Sequence, residues 1–162
     1  RPELQFVLAA APNREIDEIR RLVDSANPSG VPVTIVQNET REAVAASDAA
    51  VVASGTATLE TGLLNTPMVI IYKVSGHNWH LLRHIIDVPH FGLINLIAEE
   101  RLAKELIQHD CTPEKIAAEV ERLIEPHENA NFRAKLREIS AKLGKGGASK
   151  AAANAIKRFL EK

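Results

Sequence analysis

The run Ser54-Gly55-Thr56-Ala57-Thr58-Leu59-Glu60 carries residue types suited to holding an anion beside a sugar. Its small side chains let a diphosphate approach the backbone. A helix starting there offers free N–H groups and the positive end of its dipole. Glu60 falls roughly one and a half turns into that helix, where a carboxylate can accept from a sugar hydroxyl. The stretch therefore suggests a nucleotide or nucleotide-sugar site. It is neither a Walker loop nor GxGxxG, so by itself it is unspecific, and the plain alternative for Glu60 is a solvated helix residue.

Other candidates are weaker. His77, His80 and His84 share a helix face at i, i+3 and i+7, yet no carboxylate or cysteine stands at a supporting spacing. A surface or interface face outweighs zinc, and no metal is expected. Trp79, Leu81, Leu82, Ile85 and Ile86, beside Lys73 and Arg83, suit either plain core or an interfacial patch on a membrane. Lys145 and Lys150 flank a glycine-rich stretch without Walker order, which reads as a helix–helix link. Cys111 is expected to be structural or incidental, since no base is placed to activate it.

The elements that must position the Ser54 turn are readable from patterning. Apolar runs at 4–10, 31–36, 48–53 and 68–72 predict strands, the first buried on both faces. Helices are expected from Pro12-Asn13 to the stop at Asn27-Pro28-Ser29-Gly30, over 41–46 and over 56–64. Strand and helix alternate with short links, which predicts an α/β fold: a Rossmann-like parallel sheet with helices on both faces. The loops after Ala10, Val36, Ala53 and Tyr72 then lie on one edge and should converge on a cleft. Beyond Gly76 the pattern predicts a helix over 77–86, a fifth strand over 92–97, and a helix over 99–109. A helix capped by Thr112 and opened by Pro113 follows to Ile124. Helices over 131–143 and from Ser149 to Leu160 close the chain. The expected division is a sugar-nucleotide-binding domain over 1–127 with a helical extension of it, a C-terminal tail, over 128–162.

A chain of 162 residues with near-balanced charge, formally −1, has length for one domain and no bulk case for nucleic acid. A single cysteine fits a reducing compartment. No apolar run is long enough to span a bilayer and no signal peptide is visible. The start at Arg1-Pro2, without Met, leads at once into a strand and suggests a piece of a longer protein.

Three segments taken together are more specific than the turn alone. They are Ser-Asp-Ala-Ala-Val-Val-Ala-Ser-Gly-Thr-Ala-Thr-Leu-Glu (47–60), Leu-Asn-Thr-Pro-Met-Val-Ile-Ile-Tyr-Lys (64–73) and Asn-Leu-Ile-Ala-Glu-Glu-Arg-Leu-Ala-Lys-Glu-Leu-Ile-Gln (95–108). In this order the chain resembles the C-terminal domain of the lipid-A-disaccharide synthase family, across almost its whole length. The resemblance implies half of a GT-B glycosyltransferase. That half binds UDP-2,3-diacylglucosamine, while an N-terminal domain carries the catalytic base and part of the site for the lipid-phosphate acceptor. It implies that Ser54, Gly55 and Thr56 hold the diphosphate, that Glu60 takes the ribose hydroxyls and that Gln37 borders the uracil. Asn95 and Gln108 match the family's Asn near the donor and its late Gln. No cofactor is implied. The setting implied is cytoplasmic, peripheral on the inner face of the bacterial inner membrane with contact through Trp79 and Leu82, and a homodimer is a leaning. Ile94 and Glu99 depart from the family pattern, which has Pro and Gly there. A UDP-N-acetylglucosamine 2-epimerase-like enzyme on the same fold, or a non-catalytic nucleotide-binding module, are the competing readings; the 95–108 segment speaks against the epimerase.

Overall fold

The computed structural model describes residues 3–75, 90–144 and 146–160. The chain runs through β1 (Phe6–Ala10), α1 (Ile16–Ala26), β2 (Val33–Gln37), α2 (Thr40–Ala46), β3 (Ala50–Ala53), α3 (Thr56–Leu63) and β4 (Met68–Tyr72). It continues with α4 (Leu93–Ala98), β5 (Glu105–Ile107), a 3-10 turn (Gln108–Asp110), α5 (Pro113–Ile124), α6 (Pro126–Lys142) and α7 (Ala148–Leu160). All strand pairs are parallel. Phe6 lies opposite Val33, Ala50 opposite Met68, and Ile70 opposite Glu105. Among the described residues the ladders form two sheets, β1-β2 and β3-β4-β5, flanked by helices. The Rossmann-like α/β architecture read from the sequence is the one found.

The core centres on β4. Met68, Val69 and Ile70 are fully buried, packed with Ile94, Leu106, Leu123, Phe132, Leu136 and Ile139. A parallel strand covered on both faces needs such an unbroken apolar run. Gly62 lets α3 approach α4: a methyl there would sit 2.5 Å from Ile94 Cδ1. Arg133 ties α6 to the rest by donating to Asn65 O at 2.6 Å and Ser47 O at 3.0 Å. Glu119, nearly buried, is paired by Arg122 at 2.6 Å and Lys104 at 3.4 Å. Thr112 caps α5, with Pro113 opening it.

Four sequence expectations are corrected. β1 is not buried on both faces: Phe6 and Val7 are 45% and 49% exposed, and among the described residues β1 pairs only with β2. Residues 92–97 are not a strand, since α4 occupies them. Residues 99–109 are not a helix, since they hold β5 and the 3-10 turn. Finally, α6 starts at Pro126 rather than Asn131, because Pro126 takes the first helical position. The expected helix over 77–86, with its histidines and the proposed membrane residues Trp79 and Leu82, lies outside the described residues.

Candidate functional site

The Ser54 turn forms as a strand–turn–helix. β3 ends at Ala53, and Ser54 N–H still donates to Ile71 O at 2.9 Å, which keeps the turn on the sheet's carboxyl edge. Gly55 then adopts φ 140, ψ −160, a region open essentially to glycine alone. Open space surrounds the position a Cβ would take, so backbone conformation rather than crowding calls for glycine here. α3 begins at Thr56 with no side-chain cap and no acidic residue in its first turn. Gly55, Thr56 and Ala57 are exposed, so the uncapped first turn faces outward with its dipole uncompensated. Thr56 and Glu60, four residues apart on α3, share one face, and both are exposed. The turn, Thr56 and Glu60 thus stand together as a shelf able to take a diphosphate at one end and a hydroxylated ring at the other.

The Ser54 hydroxyl is engaged elsewhere. Its Oγ donates to Phe91 O at 2.6 Å. A hydroxyl has one proton and the Ser54 N–H is given to Ile71 O, so in this geometry Ser54 offers no donor to an anion and shapes the turn instead. Inside α3, Thr58 likewise turns its hydroxyl back to Gly55 O at 2.8 Å.

The remaining predicted residues separate into two groups. Gln37 closes β2, and its Nε2 donates to Ala11 O at 3.3 Å and Arg14 O at 2.7 Å, so it joins the loops after β1 and β2. Asn38 beyond it takes φ 63. Asn95 and Gln108 belong with Ser54. Asn95 is fully buried in α4; its Nδ2 donates to Ala103 O at 2.7 Å and its Oδ1 accepts from Ala103 N at 2.8 Å. Gln108 accepts from Val74 N at 2.7 Å and donates to Val74 O at 2.9 Å, imitating a strand partner for the segment leaving β4. Both amides are spent within the protein, Gln108 on the Val74 backbone and Asn95 on the Ala103 backbone and the Glu105 carboxylate.

One residue of this group was not singled out in the sequence. Glu105 Oε1 accepts from Phe91 N at 3.0 Å, Gly92 N at 2.9 Å and Asn95 Nδ2 at 2.9 Å. Its signal was hidden because 99–109 read as a helix, where Glu105 would be one charge among several. The Phe91 ring also lies against Tyr72 at 5.7 Å.

The two departures from the family pattern find places. Ile94 is the second residue of α4 and fills the core against Gly62. Glu99 is the left-handed C-cap of α4 at φ 58, ψ 19, a conformation glycine adopts at no steric cost. Lys104, nearby in sequence, pairs with Glu119. Two surface clefts, of about 400 Å³ between α1 and β2 and about 440 Å³ beside α6, lie away from the Ser54 shelf. Among the described residues no group of three His, Cys, Asp or Glu side chains is gathered for a metal.

The chain is thus an α/β protein with a parallel sheet that carries a glycine turn and an uncapped helix start on its carboxyl edge. Residues 2–159 match the family model described as lipid-A-disaccharide synthetase, and the chain belongs to that family. The lipid-A-disaccharide synthase of Trichlorobacter lovleyi is 37% identical over 161 residues, 99% of this chain and 41% of the relative. That of Syntrophus aciditrophicus is 42% identical over 151 residues, 93% of this chain and 39% of the relative. That of Geobacter sulfurreducens is 38% identical over 162 residues, 99% of this chain and 41% of the relative. The chain therefore spans about two-fifths of the length of the curated relatives it matches.

Proposed function

We propose that this chain is the donor-nucleotide half of a lipid-A-disaccharide synthase. The whole protein transfers 2,3-diacylglucosamine from UDP-2,3-diacylglucosamine to 2,3-diacylglucosamine 1-phosphate. In that step an acceptor hydroxyl oxygen bonds the sugar's anomeric carbon and surrenders its proton to a base. The bond from that carbon to the diphosphate breaks, and UDP leaves with the electron pair. The observation that carries the reading is the uncapped start of α3 with Glu60 one turn further on the same face. The N–H groups and dipole stabilise charge that builds on the departing diphosphate, which is electrostatic catalysis. Glu60 holds the ribose hydroxyls, and Gly55 and Thr56 hold the phosphates. Ser54 positions the turn through its bonds to Ile71 O and Phe91 O, and Gln37 shapes the loops that border the base. No residue here is assigned as the base, which the reading places in an N-terminal domain. Residues 1–127 are proposed as the sugar-nucleotide-binding domain and 128–162 as its helical extension.

Titration calorimetry with UDP tests this. The chain binds UDP, and Glu60→Ala weakens binding roughly tenfold, in line with loss of charged hydrogen bonds to the ribose. No binding, or binding indifferent to Glu60→Ala, overturns it.

No helix among the described residues is long and apolar enough to cross a membrane. A peripheral site on the cytoplasmic face of the inner membrane, with Trp79 and Leu82 inserted, follows from the lipid substrates and from the apolar and basic residues around 73–86. Changing both residues to Ser should abolish co-sedimentation with anionic liposomes; unchanged sedimentation removes this part of the reading. Assembly as a homodimer belongs to the same proposal, checked by light scattering.

A further inference from the structure

We propose that Glu105 is a positioning residue for the Ser54 turn, a role that rests on the donor-site reading above. One carboxylate oxygen collects three donors: Phe91 N–H, Gly92 N–H and Asn95 Nδ2. Those contacts fix the residues just before α4. From there a second link runs back across the edge, where Phe91 O accepts from Ser54 Oγ at 2.6 Å. Ser54 in turn is the residue before Gly55, whose φ of 140 aims the start of α3. The path from Glu105 to the phosphate shelf is therefore two hydrogen-bond steps long, through a single peptide, Phe91.

The surroundings leave this path little play. Glu105 sits on β5, opposite Ile70 on the central strand. Gly92 packs so closely that a Cβ there would lie 2.3 Å from Ile70 Cδ1 and 3.5 Å from Glu105 Oε1. Asn95 is clamped from its other side by Ala103. Hydrogen bonds to an ionised acceptor are stronger than neutral ones, so the carboxylate is well suited to hold two adjacent backbone N–H groups in one orientation. Gln108, three residues on, grips Val74 on the other flank of the same edge. β5 and the 3-10 turn after it thus send one side chain to each neighbouring loop: Gln108 of the turn to the segment leaving β4 and Glu105 of the strand to the segment entering α4.

Its consequence for the site is specific. With Phe91 O fixed, the Ser54 proton stays turned away from the shelf, and the first N–H groups of α3 become the donors that meet an anion. Without Glu105 the Phe91 and Gly92 N–H groups lose this acceptor, and the Phe91–Gly92 peptide holds its oxygen less firmly against Ser54 Oγ.

The test is a double-mutant cycle read by UDP calorimetry on the full chain, with Glu105→Ala, Ser54→Ala and the pair. Expected is a loss of roughly tenfold in UDP affinity for Glu105→Ala, with the double variant no weaker than the worse single one, since both cut one path. Glu105→Gln, which keeps an oxygen able to accept from Phe91 and Gly92, should restore affinity to within about threefold of the parent. Leu123→Ala, a remote core change, serves as the destabilised control and should leave UDP affinity unchanged at temperatures well below melting. Additive losses in the cycle, or parental affinity for Glu105→Ala, overturn the proposal. Should Glu105→Ala not fold, the same cycle is run with Glu105→Asp, which withdraws the carboxylate by one methylene. A parent chain that binds no UDP sinks the donor-site reading but not this coupling. The backbone amide signals of Ser54, Gly55 and Thr56 in the unliganded chain then decide it: they shift in Glu105→Ala if the path exists and stay in place if it does not.

Discussion

Glu99 shows how a single residue departs from its family at a small thermodynamic cost. It occupies the left-handed cap of α4 and is exposed. An L residue there carries a steric penalty of about 1–2 kcal/mol that glycine lacks. Glycine gives back about 0.4–1 kcal/mol through the greater freedom of the unfolded chain. Glu99→Gly should therefore stabilise the chain by roughly 0.5 kcal/mol, the difference between those terms. Urea denaturation checks it: the midpoint should rise with an unchanged slope. A lower midpoint would mean that the Glu99 side chain makes a compensating contact. Glu99 also shows where reading from sequence stops. Its departure from the expected glycine was visible in the sequence, whereas its backbone conformation was not. Ser54 is similar: the turn was readable from Ser-Gly-Thr, but the commitment of its proton to Phe91, 37 residues away, depends on long-range pairing. Asn95 and Gln108 were picked out as polar residues near a ligand, and their amides meet backbone instead. A polar side chain in a motif signals that something must be satisfied there, without saying whether a ligand or the chain itself does it.

The elements around the Ser54 turn were the readable ones, because strand and helix there carry both apolar patterning and turn residues. β3, α3 and β4 match the expected runs closely, with Thr66-Pro67 marking the return. The segment from 92 to 109 was inverted. Leu93-Ile94 and Leu96-Ile97 look like a buried strand, and Leu102, Ala103, Leu106 and Ile107 recur at helical spacing. Short apolar runs do not discriminate between the two. What decides is tertiary: Ile70, Ile71 and Tyr72 supply a free edge that captures Glu105, Leu106 and Ile107, overriding local preference. α4 is then held where it is by its fit to α3. Adding a methyl at Gly62 places it 2.5 Å from Ile94 Cδ1 and 3.5 Å from Leu136 Cδ2, inside the core. Alanine's better helix propensity offsets about 1 kcal/mol, against an overpacking penalty of about 1–3 kcal/mol. Gly62→Ala should thus destabilise by roughly 1 kcal/mol net. Ile94→Val, which removes Cδ1, should recover most of that loss when combined with it, although alone it costs about 0.5–1.5 kcal/mol. A double-mutant cycle by urea denaturation that came out additive would show that α3 and α4 adjust independently.

Across the molecule, burial is uneven. Among the described residues, Ala10 is the one buried apolar residue before β3, while the rest run from Val52 to Ile139. The Ser54 shelf is built on that dense part, which suits a site whose geometry must hold. α7 stands at the other extreme. None of its residues is buried, and Ile156, Phe159 and Leu160 are 61%, 80% and 77% exposed along one stripe. Before it, Gly144, Gly146 and Gly147 all take positive φ. A helix of 13 residues with no buried face is marginal alone. Ending the chain after Leu143 should therefore remove helical signal in the far ultraviolet yet lower the melting temperature by less than about 3 °C, the shift that roughly 1 kcal/mol produces in a chain of this size. UDP affinity should not change, since the shelf lies on β3 and α3. A larger fall would mean that the stripe is covered in solution. Repeating the melts over a range of protein concentrations then separates the two ways of covering it: a fall that grows with concentration places the stripe on a second copy, and one that does not places it on the chain's own surface.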